Sequence, residues 1–250
     1  MRYKSIFISD VHLGSRSSQS ELLCGFLKNN TCENLFLVGD IIDGWRLRRR
    51  WYFPQSHVNV IRQILTCSKK GTRVFYILGN HDEALRKFLS FDIQIGNIQL
   101  LNEYEYDAIN GKSYLITHGD FFDKLMLNSK WLMHIGDVAY DLMIYLNVQF
   151  NRVRSFFGKD YWSLSKWLKT NTKEALNYIH RFEDHIVEYC KENGYDGIIC
   201  GHIHVPKMSE IDGIEYLNCG DWVESRTAIV EKYDGTFELI EIHDKHSSDN

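Results

Sequence analysis

The chain has 250 residues, 44% hydrophobic, 25% charged and 14% aromatic, with 2 Pro, which excludes a disordered tail, a Pro-rich linker and a domain too small for a core. Lys and Arg total 29 against 33 Asp and Glu, a formal charge of −4, so no overall basic field exists to hold nucleic acid and none is expected as a partner. The longest apolar run near the start is Ile6-Phe7-Ile8 and no stretch approaches the ~20 apolar residues of a membrane span, so one cytoplasmic domain over 1–250 is expected.

Tyr3–Ser9 reads as a first buried strand, and Ser20 as the N-cap of a helix carrying Leu22, Leu23, Phe26 and Leu27. A strand over Asn34–Gly39 follows, then a helix through Val58, Ile61 and Leu65 that stops at Gly71, then strands over Arg73–Gly79 and Ser113–Thr117. This alternation predicts an α/β fold. From Phe121 to Asn193 the pattern turns helical, with Leu132, Ile135, Ala139, Leu142 and Leu146 at helical spacing, which predicts a helical insertion over 121–193. Strands resume at Asp196–Gly201 and Glu215–Cys219, and Gly213 to Ile242 reads as hairpins around Asp234-Gly235, before a frayed polar tail from His243. The six cysteines form no CxxC pair and read as buried small hydrophobes.

The strand ends carry the chemistry. They read Asp10-x-His12, Gly39-Asp40-x-x-Asp43, Gly79-Asn80-His81-Asp82, His118-Gly119-Asp120 and Gly201-His202-x-His204. Each block alone is weak, because Gly-Asp commonly shapes a turn and a lone strand-end His is usually a hydrogen-bonded structural residue. Loops at the carboxyl ends of parallel strands converge on one crevice, however, so five such blocks in order predict one polar site.

In that order the blocks closely resemble those of the calcineurin-like metallophosphoesterases: DxH, GDxxD, GNHD, a His followed by Gly, and GHxH. The resemblance implies an α/β sandwich of two β-sheets flanked by helices, with the helical insertion as a lid. It implies two divalent metal ions, Mn2+ in first place and Fe or Zn as alternatives. Asp10, His12, Asp40 and His204 would hold one ion and Asp40, Asn80, His118 and His202 the other, with Asp40 shared. The residue types suit that chemistry, since a carboxylate bridges and neutralises dications, imidazoles set geometry, and an Asn carbonyl adds a ligand without charge. Two such ions can activate a water and polarise a phosphoryl oxygen for in-line attack. His81 is then the candidate to stabilise the phosphoryl oxygens or protonate the leaving group, and Asp82 to orient its ring. Asp43 and Asp120 are expected behind the ligands, with capping of local amides as the equal alternative.

A narrower resemblance rests on Gly39-Asp40-Ile41-Ile42-Asp43-Gly44-Trp45, His118-Gly119-Asp120 and the insertion before Gly201-His202-Ile203-His204. It points to the branch containing UDP-2,3-diacylglucosamine diphosphatase, which releases UMP and a diacylated sugar phosphate in lipid A synthesis. Well-known members there carry Asn-Arg-Asp and Glu where this chain has Asn80-His81-Asp82 and Asp43. These departures leave a general phosphodiesterase or phosphomonoesterase on nucleotides or another phospholipid as the alternative. A non-catalytic scaffold is disfavoured because every expected ligand is present.

Two basic stretches bear on the substrate. Arg152–Lys173 carries six basic residues, among them Lys166, Lys169 and Lys173, against Asp160 alone, interleaved with Phe156, Phe157, Tyr161, Trp162 and Trp167. This suits an anionic, acylated substrate at a membrane surface, and suits equally an insertion packed by its aromatics with solvated cations. The second, Arg46-Leu47-Arg48-Arg49-Arg50-Trp51-Tyr52, follows the second block directly, so Arg46 and Arg49 are candidate phosphate contacts. A nucleotide-linked glycolipid substrate, peripheral contact with the cytoplasmic face of the inner membrane and no obligate protein partner are expected.

Overall fold

The computed structural model describes residues 1–89, 94–126, 150, 154 and 173–243. Its first three strands, β1 (Arg2–Ile8), β2 (Thr31–Val38) and β3 (Arg73–Ile77), are buried on both faces, which is why they read as continuous apolar runs. Alternate side chains face opposite ways. Ile6, Ile8, Leu35, Leu37 and Val74 join an outer apolar cluster with Leu23, Phe26 and Leu27 of α1 (Ser20–Asn29) and Val60 and Ile64 of α3 (Gln55–Lys69). Phe7, Phe36, Val38, Phe75 and Ile77 face inward to a second cluster. Because Phe7 pairs with Phe36 and Phe36 with Phe75 in register, their rings stack across the sheet at 4.9 and 4.6 Å.

The inner cluster is closed by a second sheet. Seven strands run in the order β12 (Phe237–Glu241), β11 (Thr227–Glu231), β1, β2, β3, β5 (Ile98–Leu101), β4 (Gln94–Ile95). Five run in the order β6 (Glu103–Asp107), β7 (Ser113–Thr117), β8 (Gly197–Cys200), β10 (Ile214–Asn218), β9 (Lys207–Ile211). Tyr106, Tyr114, Ile116, Ile199 and Leu217 from this sheet meet the phenylalanines of the first, so the fold is the expected two-sheet α/β sandwich. β1, β2 and β3 are parallel in one sheet and β7, β8 and β10 in the other, which sets six strand carboxyl ends around one rim.

Several local expectations change. α1 begins at Ser20 with Gln19 as its cap residue, and the buried Ser20 hydroxyl makes no capping bond. α3 starts earlier than its apolar pattern suggests, after Pro54, and ends as expected before Gly71, whose φ of +99° is the left-handed stop of a helix. β6 and β9 escape the sequence reading because these short sheet-edge segments, such as Glu103–Asp107, alternate polar and apolar residues without a buried run, and β5 escapes it because it is only four residues long. The hairpin of β11 and β12 turns at Asp234-Gly235, where Asp234 accepts from the Thr236 amide at 2.9 Å. All six cysteines are free and none is exposed, in keeping with their reading as packing residues.

The chain divides into two compact units, Met1–Asp120 with Ile186–Asn250, and Phe121–His185. Most of the expected insertion over 121–193 lies outside the described residues; its described parts include α5 (Asp120–Met126) and α6 (Lys173–Asn193). Within the second unit Phe122 and Phe182 meet edge-on at 6.1 Å and the Tyr178 hydroxyl donates to Asp123. No helix among the described residues is long and apolar enough to cross a membrane.

Candidate metal centre

The loops leaving five of the parallel strands carry every residue expected to ligate. Asp10 and His12 follow β1, Asp40 follows β2, Asn80 and His81 follow β3, His118 follows β7, and His202 and His204 follow β8. Asp10 (φ 52°), His12 (50°), Asp40 (54°), His202 (71°) and His204 (56°) all adopt the left-handed conformation. Each such residue costs on the order of 1–3 kcal/mol, a strain that collects at functional sites and persists only where neighbours enforce it. Here the enforcing contacts are backbone bonds between loops: Asp10 N to Gly39 O (3.1 Å), His12 N to Asp40 O (2.9 Å), Gly201 N to His118 O (3.1 Å) and Trp222 N to Asp10 O (3.0 Å).

Among the described residues, three sets of side chains converge closely enough to share an ion: Asp10, His12 and His204; Asp10, Asp40 and His118; and His12, Asp43 and His81. In the first, His204 Nε2 lies 3.0 Å from Asp10 Oδ1 and 3.4 Å from His12 Nε2, and His12 Nε2 lies 3.8 Å from Asp10 Oδ1. Ligands held ~2.1 Å from one ion stand about 3.0–3.4 Å apart, so this spacing fits a coordination shell. In the second, His118 Nε2 lies 3.2 Å from Asp40 Oδ2. The carboxylate common to these two sets is Asp10, where the resemblance gives the shared place to Asp40; the other oxygen of Asp40 is taken by the His81 amide at 2.8 Å.

Hydrogen bonding supports the same fit. Asp10 Oδ1, Asn80 Oδ1 and His118 Nε2 are buried without a hydrogen-bond partner among the described residues. Buried polar atoms rarely go unpaired, and two carboxyl or amide oxygens with one imidazole nitrogen are the donor set a divalent ion takes. Behind the inward-facing Nε2 atoms, the Nδ1 atoms find acceptors: His118 donates to Val38 O at 3.0 Å, and His81 to Asp43 Oδ1 at 3.0 Å. His118 and His202 rings lie 5.1 Å apart, which brings His202 to the same place.

Charge follows position. Burial by itself would lower the His118 pKa, but the Asp40 and Asp10 carboxylates outweigh it and raise it to about 10. Burial acts to raise the acids Asp10 and Asp40, yet the surrounding imidazoles, His204 and His118 for Asp10 and His118 first for Asp40, hold both well below the usual carboxylate range. Asp43 is likewise held low against burial by His12 and His81.

Asp82 does not do what the sequence suggests. Its carboxylate accepts the amides of Ile41 (3.2 Å) and Ile42 (3.0 Å) and the hydroxyl of Tyr76 (2.7 Å), so it ties the loop after β2 to the loop after β3. Burial and then Asp40 push its pKa up to about 6. The carboxylate on the His81 ring is Asp43, which also caps α2 (Gly44–Arg49) through the Arg46 amide at 2.9 Å and lies 3.6 Å from His12 Nδ1. The Trp45 ring packs on His81 at 4.2 Å. Asp120 stands beside His118 and forms an ion pair with Arg86 of α4 (Glu83–Arg86) at 3.0 Å.

Of the expected substrate contacts, Arg46 pairs with Asp43 at 3.1 Å and Arg49 is exposed at the end of α2. Lys166 and Lys169 lie outside the described residues, and Lys173 opens α6. The sequence reading missed Ser9, whose hydroxyl donates to Asp10 and also reaches Val38 O, and Asp221, which lies 3.9 Å from His204 Nδ1. Neither sits in a block, so only their contacts reveal them.

The glycines of the blocks are explained by crowding. A Cβ on Gly79 would collide with the Asp40 carboxylate, and one on Gly201 with Ser9 and Asp10.

The sequence model of the calcineurin-like phosphoesterases matches residues 3–206, which contain all five blocks. The chain belongs to this family. This phosphoesterase is 24% identical over 236 residues to a UDP-2,3-diacylglucosamine hydrolase of Wigglesworthia glossinidia brevipalpis, covering 88% of each chain. It is 25% identical over 254 residues to the enzyme of that name from Aliivibrio fischeri (strain MJ11), covering 94% of this chain and 96% of the other. Among solved structures, a dimetal phosphatase from Danio rerio aligns with a TM-score of 0.45 at 13% identity, covering 96% of this chain and 99% of the other.

Proposed function

We propose that this phosphoesterase hydrolyses the pyrophosphate of UDP-2,3-diacylglucosamine to UMP and 2,3-diacylglucosamine 1-phosphate, a step of lipid A biosynthesis. What carries this reading is the near end-to-end match with relatives named for that substrate, 94% of this chain and 96% of one relative. In this reading Asp10, His12, Asp40 and His204 hold one divalent ion and Asp40, Asn80, His118 and His202 the second, with Mn2+ the ion to supply first. When bound, such a pair supplies an activated water and Lewis-acid polarisation of a phosphoryl oxygen.

The chain's own residues do the rest. Asp43 keeps the His81 imidazole oriented, and Trp45 fixes its ring plane, so His81 can donate to a phosphoryl oxygen or to the departing phosphate. Asp82 acts as a positioning residue, holding the two loops that carry Asp40 and His81 at a fixed separation. Arg46, steadied by Asp43, and Arg49 supply cationic donors for the pyrophosphate. Lys166, Lys169 and Lys173 belong to a stretch whose six cations and interleaved aromatics match an anionic head group bearing acyl chains. The protein works in this reading as a peripheral enzyme of the cytoplasmic membrane face.

One observation favours a second reading. Asn80-His81-Asp82 is the form general to the family, which suits a broader phosphodiesterase or phosphomonoesterase. Phosphorus NMR of Mn2+-supplemented reactions separates the two, with UDP-2,3-diacylglucosamine in detergent, an aryl phosphodiester and a metal-stripped control. Metal-dependent release of UMP is expected. Turnover of the aryl ester alone would keep the dimetal chemistry and remove the glycolipid.

A further inference from the structure

Asp221 lies between β10 and β11 and is fully buried. Its Oδ1 accepts the amides of Val223 at 2.8 Å, Glu224 at 2.5 Å and Ser225 at 3.2 Å, and so shapes the turn. Its Oδ2 has no hydrogen-bond partner among the described residues and lies 3.9 Å from His204 Nδ1. A neutral Asn side chain would satisfy the same three amides without burying a charge. The second oxygen therefore needs a reason of its own. The turn is also tied to the site, since the next residue's amide, Trp222 N, donates to Asp10 O at 3.0 Å.

We propose that Asp221 is a positioning residue for the candidate metal centre, its Oδ2 taking the Nδ1 proton of His204. That bond fixes the tautomer in which His204 presents Nε2, which already lies 3.0 Å from Asp10 Oδ1 and 3.4 Å from His12 Nε2. A carboxylate behind an imidazole ligand sets ring orientation and raises ligand basicity. It would extend to His204 a pattern made at 3.0 Å by Val38 O behind His118 and by Asp43 behind His81; Asp221 Oδ2 stands 3.9 Å from His204 Nδ1, and the proposal is that this gap closes to a hydrogen bond when His204 takes up an ion. The inference rests on the reading of His204 as a metal ligand.

The test is Asp221→Asn in the full chain. Asn keeps Oδ1 for the three turn amides and replaces Oδ2 with an NH2 group that opposes the His204 N–H. Binding of Co2+ to the metal-stripped protein, followed by calorimetry and by visible absorbance, is expected to weaken about 10–100-fold, the range for such partners. Thermal unfolding of the metal-free variant should match that of the parent. Asp221→Ala, which also removes the turn acceptor, should lower both. Unchanged Co2+ affinity in Asp221→Asn would overturn the positioning role, as would a metal-free Tm loss equal to that of Asp221→Ala, which would make Asp221 a turn residue only. A parent chain that binds no Co2+ would overturn the metal reading itself, a different failure.

Discussion

His81 shows how much one residue's role depends on its neighbours. Its backbone amide holds Asp40, its Nδ1 meets Asp43, and its Nε2 lies 3.9 Å from Asp40 Oδ2. It belongs with His12 and Asp43 to a set apart from His204 and His118, and the proposed ligands of the two ions do not include it. His81→Ala is therefore expected to keep its metal content while kcat falls about 10²–10⁴-fold, the usual worth of a positioned acid or base. Metal analysis beside steady-state kinetics checks this, and a parent-like kcat would end the proposed role. The identity of the blocks could be read residue by residue from the sequence. Which carboxylate serves which imidazole could not, because Asp82 adjoins His81 in its own block while Asp43 lies in another, and only the fold of the loops turns Asp82 away toward Tyr76 and the amides of Ile41 and Ile42 and brings Asp43 to the ring.

Elements meet at this site through their ends. β8 of one sheet and β1 of the other finish so close that Gly201 faces Ser9 and Asp10 with no room for a methyl group. Gly201 has no left-handed φ, so Gly201→Ala isolates the steric effect from the conformational one. The substitution is expected to cost about 1–3 kcal/mol as overpacking and to lower metal content by displacing Asp10. Denaturant melts and metal analysis measure both losses; an Ala variant with parent-like values would mean that the two strand ends have slack. The strands that reach this crowded rim were legible from their apolar runs, since burial on both faces leaves an unbroken signal. The edge strands and the six-residue α2 were not, because β6 and β9 alternate polar with apolar residues and α2 buries none of its side chains.

For the whole molecule the consequence is stored strain. Five left-handed candidate ligand residues and a set of opposed carboxylates and imidazoles are arranged around one point. A group that binds only the folded chain stabilises it by mass action, about 2.7 kcal/mol when present at a hundred times its Kd. For a chain of this size that corresponds to roughly 5–10 °C. Thermal melts with Mn2+ and after chelation should differ by this order. Equal melting temperatures would count against a preformed ion site.

The sequence by itself determined the family, the α/β class and which residues are candidates for the chemistry, because those depend on residue type and on blocks placed at the ends of apolar runs. It left open how the blocks combine. Tertiary structure decided that the parallel strands belong to two sheets facing across a phenylalanine-lined core, that their ends share one rim, and that Asp43 and Asp221 stand behind the imidazoles of His81 and His204. Those relations join residues far apart in the chain, such as Asp10 with His204, and no local pattern encodes a distance across the fold.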